Sequence, residues 1–305
     1  MNAGSRSLTS VLDWFGCATF RLTVGETVVF LDAYIDRVPN APGPGIGADD
    51  VDRADWIVVG HSHFDHLWGA ERIARRTGAT IIGSYETVRI MASEGVPSEQ
   101  LIPVSGGERI RLSDDMVVSV YPSLHSCVWT HAAMHQSDYP CLGDVGLTWQ
   151  EQRERYAGLR TVFDALDDAG KAHVTAANQG ARGDGGALVY LFDTPRGSLL
   201  YQDTSGHWSG ILSGLRPDVA ILAAAGRGNV DAEPMQGTLA RYVARQAELL
   251  RPRRVVLSHH DDWMPGFSVD TEIVPIRDEL TRALPFAELA EIGYVSTYPV
   301  FDGLR

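Results

Sequence analysis

The sequence predicts an α/β sandwich of two mixed β-sheets. Segments with strand and helix patterns alternate along most of the 305 residues, and a strand hairpin opens each half of the chain. Hydrophobic residues make up 44% of the chain and charged residues 21%, which is typical of a globular protein. This length is ample for one large domain with a substantial buried core and could also hold two domains; we predict a single domain over residues 1–305.

Short strands dominate the first third of the chain. Gly25-Glu26 lies between two segments rich in β-branched residues and predicts a tight hairpin. A Pro/Gly-rich loop at 38–47 precedes a buried strand that runs directly into His61. The predicted elements here are strands at Leu8–Trp14, Thr19–Val24, Thr27–Leu31, Trp56–Val59, Ala79–Ile82 and Met116–Tyr121, and a helix at Leu67–Arg76.

The second half contains an interruption and then the same alternation. Residues 127–180 combine an irregular stretch with a helix around Thr148–Asp167, and a Gly-rich loop follows at Asn178–Gly186. We predict that 127–180 is an inserted cap-like segment; the alternative is a surface excursion that only decorates the fold. The later elements are strands at Ala187–Phe192, Ser198–Gln202, Val219–Ala224 and Arg254–Leu257, and a helix near Gly237–Leu250.

The charge and the cysteines limit the class of protein. A formal net charge of −13 repels polyanions, and the longest basic cluster is Arg-Pro-Arg-Arg at 251–254, so we expect no nucleic-acid partner. Three cysteines without a CxxC pair predict neither a disulfide framework nor a cysteine zinc site. The N-terminus lacks an apolar signal region, and no stretch approaches 18 uninterrupted apolar residues. We therefore expect a cytoplasmic protein without a membrane partner; a homo-oligomer is compatible with the sequence.

The hexapeptide His61-Ser62-His63-Phe64-Asp65-His66 carries the strongest chemical signal. Four metal-binding side chains fall within six positions, directly after a buried strand. His61 and His63 alternate and so face the same way in extended backbone, while a helix that begins at Asp65 turns the next two side chains toward a second point. Imidazole and carboxylate suit zinc and similar ions. The alternative, a polar surface loop, requires three of ten histidines to cluster by chance.

This motif resembles the His-x-His-x-Asp-His signature of the metallo-β-lactamase superfamily. The segments Asp13–Leu22 and Val29–Asp32 resemble the opening hairpin of its lactonase-like branch, which includes sugar-phosphate lactonases and uncharacterised metal-dependent hydrolases. Cys17 stands where relatives often carry histidine. The resemblance implies a four-layer αβ/βα sandwich with metals at one edge, between the sheets.

The resemblance also implies a complete set of metal ligands. His61, His63 and His125 would bind the first ion; Asp65, His66 and His259 would bind the second. Asp203 would be shared by both, and Asp193 is a rival that is better explained by its Thr-Pro-Arg-Gly turn. At the last position the register is open between His259 and His260. We expect two divalent ions, zinc first, with manganese or iron accepted by the same ligands.

The predicted function is a dinuclear metal-dependent hydrolase. A metal-bridging hydroxide would attack an ester, lactone or phosphoester of a small metabolite, with Asp65 as ligand and proton acceptor. His63 favours hydrolysis, because oxygen-reducing diiron relatives tend to carry glutamate there. The alternatives are a phosphodiesterase or nuclease of the same fold, disfavoured by the charge, and a non-catalytic metal-binding protein.

Further residues are candidates for supporting roles. His131 and His135 lie four residues apart and with Trp129 form a candidate substrate-binding group, and His207 follows Asp203 by four residues. Asp32 and Asp261 are candidates for orienting imidazoles; for Asp32 we favour a strand-end residue that bonds to the backbone. His173 receives no role.

Overall fold

The computed structural model describes residues 9–133, 135–164, 166–180 and 182–304. Leu8, Met134, Ala165 and Ala181, which fall within predicted segments, lie outside the described residues. Numbered along the chain, the strands are β1 Ser10–Gly16, β2 Thr19–Val24, β3 Thr27–Leu31, β4 Trp56–Val58, β5 Thr80–Gly83, β6 Leu101–Pro103, β7 Arg109–Ser113, β8 Met116–Pro122, β9 Leu188–Thr194, β10 Gly197–Gln202, β11 Gly206–His207, β12 Val219–Ala223, β13 Asn229–Val230, β14 Glu233–Pro234, β15 Arg254–Ser258, β16 Glu288–Ala290 and β17 Tyr298–Pro299. The helices are α1 Phe64–Leu67, α2 Ala70–Thr77, α3 Tyr85–Ser93, α4 Trp149–Asp164, α5 Asp168–Ala177, α6 Ser209–Leu212, α7 Leu239–Leu250 and α8 Ile273–Ala283.

Two large sheets are built by the same rule. The first has the order β17-β1-β2-β3-β4-β5-β6: its opening strands are antiparallel, and β3 to β6 are parallel. The second has the order β16-β15-β12-β10-β9-β8-β7, again antiparallel at the β7 side and parallel from β10 to β16. Strands β11, β13 and β14 form a small third sheet. Hairpins therefore open each half, as predicted.

The core is divided into three apolar layers. Side chains of both large sheets, including Leu22, Phe192 and Ile221, pack together between the sheets. Helices α1 to α3 cover the outer face of the first sheet, and α6 to α8 cover that of the second. The hydroxyl of Tyr190 crosses the interface and donates to the carbonyl of Val59 at 2.8 Å. The predicted four-layer αβ/βα sandwich is confirmed.

Three local features differ from the predictions. The helix predicted at Leu67–Arg76 is two helices, because Gly69 has a φ of 118° and separates α1 from α2. The single helix predicted around Thr148–Asp167 is followed by a second, α5, whose first turn is capped by Asp167. The C-terminal α8, β16 and β17 were not predicted; the two strands have only three and two residues, which is too short for a periodic signal.

One edge of the sandwich collects the ends of many strands. Strands β1, β3 and β4 run in one direction within the first sheet, and β8, β10, β12 and β15 share a direction within the second. The loops that leave their carboxyl ends hold Cys17, Asp32, His61, His125, Asp203 and His259. Rigid strands thus position every loop of the candidate site. None of the helices in the described ranges is long and apolar enough to span a membrane.

The inter-sheet core gives a test of the packing. Phe192 is fully buried between the sheets, so we expect Phe192→Ala to lower the free energy of unfolding by about 3–5 kcal/mol. Equilibrium denaturation followed by circular dichroism measures this change. Phe286 is 54% exposed, and Phe286→Ala serves as the matched control with a loss of about 1 kcal/mol or less. Equal losses in the two variants would contradict the described core.

Candidate metal centre

Three histidines from two sheets form one face of the site. The Nε2 atom of His61 and the Nδ1 atom of His63 are 3.0 Å apart. The ring of His125 lies 4.6 Å from that of His61 and 4.7 Å from that of His63, between centroids. The Nδ1 atom of His125 is 2.9 Å from the carbonyl of Ser126, which leaves Nε2 to face the other two rings. One nitrogen of each residue lies within 4.8 Å of the others, as a shared cation requires.

Asp203 joins this group to a second one. Its Oδ2 atom lies 2.5 Å from Nδ1 of His61 and 3.4 Å from Nδ1 of His66, while Oδ1 has no hydrogen-bond partner among the described residues. The carboxylate fits only because residue 60 is glycine: a Cβ there would lie 2.1 Å from Asp203. This carboxylate is therefore buried, partly unpaired and placed between two histidines, and its sharing by two ions, which the resemblance implies, stays a prediction.

Asp65, His66 and His259 form the second group. Oδ2 of Asp65 lies 3.3 Å from Nε2 of His259 and 3.5 Å from Nε2 of His66. The thiol of Cys17 completes a further set with Asp65 and His259, whose potential ligand atoms all lie within 4.8 Å of one another. Seven predicted ligand residues and one cysteine therefore converge on a single edge of the sandwich.

Asp32 orients His66. Its Oδ2 atom lies 2.6 Å from Nδ1 of His66 and 2.6 Å from the hydroxyl of Tyr201, and its Oδ1 accepts from the backbone N–H of Gly60 at 2.8 Å. The favoured interpretation of Asp32 as a backbone-bonding strand end was therefore incomplete, because one oxygen fixes an imidazole. Asp261 instead bonds to the backbone N–H of Cys17 and the hydroxyl of Tyr294.

The structure brings His259, not His260, to the centre. His260 stacks on Trp14 with centroids 4.5 Å apart and belongs to the opposite side of this loop. His259 has a φ of 59°, and its N–H donates to the carbonyl of Cys17 at 2.7 Å. Cys17 and Asp32 also have left-handed backbone, with φ of 49° and 56°. Three non-glycine residues that directly follow strands thus adopt a strained conformation around the site.

The ionisation of the cluster suits cation binding. Burial and the neighbouring imidazoles of His66 and His125 hold the pKa of His61 well below its usual range. Burial together with His125 lowers the pKa of His63 to about 4. Burial alone would raise the pKa of Asp65, but the imidazoles of His66 and His259 lower it overall. Burial would also lower the pKa of His259, but its contact with Asp65 raises that pKa overall. The other four imidazoles of the cluster therefore favour the neutral form, whose free lone pairs bind metals.

Asp203 and Cys17 behave differently from Asp65. Burial and the nearby carboxylate of Asp32 raise the pKa of Asp203 to about 8. Burial and the carboxylates of Asp65 and Asp261 raise the pKa of the Cys17 thiol. Ionised Asp203 or Cys17 is unfavourable in this buried site unless a positive charge lies nearby. A cation bound beside the histidines would supply that charge and stabilise both ionised side chains.

A cavity of about 550 Å³ opens onto the cluster. Its aromatic wall combines residues of the segment 127–180 with the loop after His259: the rings of Phe163 and Phe267 stack at 4.8 Å, and Trp263 lies 5.6 Å from Phe267. The described residues of 127–180 that line it are Cys127, Val128, Thr130, His131, Ala132, Tyr156, Val162, Phe163 and Asn178.

The candidate substrate-binding residues are placed in different surroundings. His131 lines the cavity; Trp129, His135 and His207 are not among its lining residues. His207 is fully buried, because the small sheet turns its ring onto Tyr242, with Nδ1 3.3 Å from the hydroxyl. The carbonyl of His135 accepts from Glu272 N–H while the residue is exposed. Of these four, only His131 is brought to the site.

Sequence reasoning missed the residues that dock the segment 127–180. Nε2 of His173, on α5, lies 2.7 Å from the hydroxyl of Tyr34, and its ring meets the edge of Trp68 at 4.9 Å. Tyr34, Phe64, Leu166 and Trp263 belong to one apolar cluster beside the metal ligands. A lone histidine offers no signal for such a contact, since its partners are far away in sequence.

Comparison with known proteins places the chain among metal-binding relatives. The sequence model of the beta-lactamase superfamily domain matches residues 27–181, about half of the chain. A Pyrobaculum arsenaticum protein described as a metal-dependent hydrolase is 35% identical over 115 residues, 37% of this chain and 49% of the relative. An Anaeromyxobacter protein of the same description is 38% identical over 88 residues, 28% of this chain and 31% of the relative. The chain thus spans about half or less of the length of these relatives.

Solved structures share the fold at low sequence identity. A metallo hydrolase from Ignicoccus hospitalis superimposes with a TM-score of 0.60 at 16% identity, over 95% of this chain and 97% of that one. A possible metal-dependent hydrolase from Veillonella parvula gives a TM-score of 0.57 at 14% identity, over 96% and 100%. At these identities the similarity establishes the fold.

The role of Asp32 can be tested by metal affinity. We expect Asp32→Asn to weaken metal binding by about 10–100-fold, because the amide loses the charge that fixes the tautomer and orientation of His66. Competition with a chromogenic chelator measures the affinity. Asp55→Asn is the control, since the side chain of Asp55 accepts from the backbone N–H of Val28 at 2.7 Å and belongs to none of the ligand groups in the described part of the chain. Unchanged affinity in Asp32→Asn would contradict the orienting role.

Proposed function

Because this chain belongs to the beta-lactamase superfamily domain family, we propose that it is a metal-dependent hydrolase that holds two divalent ions. The observation that carries the proposal is the convergence of seven His and Asp side chains on one strand-end edge, in two groups linked by Asp203. The names of the relatives from Pyrobaculum and Anaeromyxobacter support hydrolysis as the reaction.

The donor chemistry fits zinc and similar borderline ions. Neutral imidazoles and carboxylates are their common ligands, and the orphaned Oδ1 of buried Asp203 lacks the partner that a cation would supply. His61, His63 and His125 would hold one ion; Asp65, His66 and His259 would hold the other, with Asp203 shared. The same ligands accept manganese or iron, and we propose zinc first.

Bound ions would supply a nucleophilic hydroxide at neutral pH and polarise the oxygen of the electrophile. The chain's own residues do the remaining work. Asp65 lines the cavity, where a proton acceptor is needed, and its lowered pKa keeps it in the ionised form that a metal ligand requires. Asp32 holds His66 in one tautomer, and the carbonyl of Ser126 does the same for His125. We propose Asp65 as the catalytic residue of the chain.

The cavity favours an uncharged, largely apolar substrate. Phe64, Phe163, Trp263 and Phe267 form its wall, and such surfaces bind apolar groups with a few polar handles. We therefore propose an ester or lactone with an apolar or aromatic body. A nucleic-acid substrate would place further backbone phosphates, beyond the one at the ions, against these rings.

The arginines of the cavity wall are already engaged. Arg227 bonds to Asp144 at 3.2 Å and to the carbonyl of Gly143 at 2.9 Å, and its side chain is only 2% exposed. Arg182 bonds to Glu94 at 3.0 Å and is 7% exposed. The described part of the cavity wall contains no other arginine or lysine. This absence of a free cation argues against a phosphodiesterase or nuclease.

The segment 127–180 would act as the cap that gives this selectivity. Tyr156, Val162 and Phe163 contribute its apolar surface, and the bond from Tyr34 to His173 anchors it to the sandwich. We propose that the segment determines which substrates reach the metal ligands. A segment that merely decorated the fold would not line the same cavity as His63 and His259.

The first test is metal stoichiometry. We expect two ions per chain after reconstitution with excess zinc, measured by elemental analysis of the desalted protein. His259→Ala should lose one ion and nearly all turnover, and Asp203→Ala should be at least as damaging because its carboxylate touches both groups. His260→Ala is the control and should keep two ions, since its ring packs on Trp14. A wild-type protein that binds at most one ion would overturn the dinuclear proposal.

The second test is substrate preference. On a panel of chromogenic aryl esters, lactones, phosphomonoesters and phosphodiesters, we expect kcat/KM to be highest for esters or lactones with apolar bodies. Phe163→Ala should lower kcat/KM for an aromatic ester about 10-fold, because losing a buried phenyl contact costs about 1–2 kcal/mol. For a short acetyl ester and for metal content, little change is expected.

Phe286→Ala, a change outside the cavity, is the matched control for Phe163→Ala. Preference for a phosphodiester would reject the substrate class while leaving the metal-dependent hydrolase in place. No hydrolysis of any panel member by the two-ion protein would favour a metal-binding role without catalysis.

A further inference from the structure

We propose that Cys17 is a ligand of the second ion, so that this ion is held by a thiolate together with Asp65 and His259. The inference rests on the proposed metal centre but concerns a residue outside the seven predicted ligands. It is carried by position: Sγ of Cys17 and the ligand atoms of Asp65 and His259 all lie within 4.8 Å of one another. The fully buried carboxylate of Asp203 lies 3.4 Å from Nδ1 of His66, and its Oδ1 has no hydrogen-bond partner among the described residues. A cation bound at this centre would supply that missing partner.

The backbone holds the cysteine in this place. The N–H of Cys17 donates to Asp261 at 2.8 Å, and its carbonyl accepts from the indole of Trp14 at 3.1 Å and from the N–H of His259 at 2.7 Å. The backbones of Cys17 and His259, two residues of the set, are therefore hydrogen-bonded directly to each other. Such a ligand pair keeps its spacing before any ion arrives, which lowers the entropy cost of binding.

Among the described residues, the thiol makes one weak hydrogen bond, at 3.4 Å to the backbone carbonyl of Asp65. The residue is fully buried and belongs to the apolar cluster that contains Tyr34 and Trp263. When a divalent ion binds, a sulfur–metal bond forms and the thiol proton passes to solvent, because a coordinating thiol is deprotonated outright. Thiolate is a soft ligand that favours zinc over manganese or magnesium. The second position would then select for zinc or cobalt, while the first, built from three imidazoles, stays broader in its choice.

The other two cysteines provide controls. Cys127 lines the cavity, but its sulfur lies 3.8 Å from the carbonyl of Gly228 and belongs to no ligand group among the described residues. Cys141 pairs through its backbone with Gly237. The chain has three cysteines in all, so replacing these two leaves Cys17 as the sole thiol.

Cobalt(II) substitution tests the proposal by absorption spectroscopy, without any substrate. The full-length protein is stripped with a chelator and titrated with cobalt(II). We expect visible d–d bands from the bound ion together with a near-ultraviolet sulfur-to-cobalt charge-transfer band. The band should persist in the double variant Cys127→Ser/Cys141→Ser and disappear in Cys17→Ser, in which d–d bands remain.

The double variant keeps the test decisive even if Cys17→Ser fails to fold, which circular dichroism would reveal. A double variant with d–d bands but no charge-transfer band would overturn the role of Cys17 and leave the metal centre standing. A charge-transfer band that survives in folded Cys17→Ser would also overturn it. No d–d bands in any form would reject both the thiolate ligand and the proposed metal centre.

Discussion

The candidate centre depends on the contact between Asp203 and the loop at Gly60. Asp203 ends a strand of the second sheet, and its carboxylate occupies the space where a side chain of residue 60 would lie. Backbone bonds hold the same point from both sides: the N–H of Gly60 donates to Asp32, and its carbonyl accepts from Leu188 of the second sheet. The close approach of Asp203 to Gly60 brings a carboxylate of the second sheet to His61 and His66 of the first. This one side chain therefore connects the two ligand groups.

The same contact explains why the strand order matters to the chemistry. Each sheet changes from antiparallel to parallel pairing partway across, and the loops of the site leave strands near that change. Helices such as α1 and α7 cover the outer apolar faces of the two sheets. The loops at this edge are therefore not needed to bury the sheets and can carry polar side chains. Burial and the contacts within the centre together set its electrostatics. Four imidazoles favour the neutral form, the imidazoles of His66 and His259 overcome burial and lower the pKa of Asp65, and burial raises the pKa of Asp203.

Much of this arrangement was visible in the sequence, and the remainder was not for physical reasons. The hexapeptide 61–66 and the strands before His125, Asp203 and His259 have local patterns, so their loops and the sandwich were predictable. The sequence left open whether His259 or His260 faces the centre, because one residue of register decides which ring turns inward; the structure places His259 beside Asp65 and His260 on Trp14. The contact of Asp32 with His66, the burial of His207 and the docking of His173 all join distant segments, and no local spacing encodes them.

The left-handed backbone at Cys17, Asp32 and His259 has a consequence for how this chain tolerates change. Left-handed backbone at a residue other than glycine costs about 1–2 kcal/mol of conformational free energy. All three of these residues surround the centre. Glycine in place of Cys17 or His259 would relieve that cost and would also remove a side chain of the centre. Selection for thermal stability alone should therefore erode the centre before it erodes the sandwich. A stable, metal-free descendant of this fold is the expected end point of such a path.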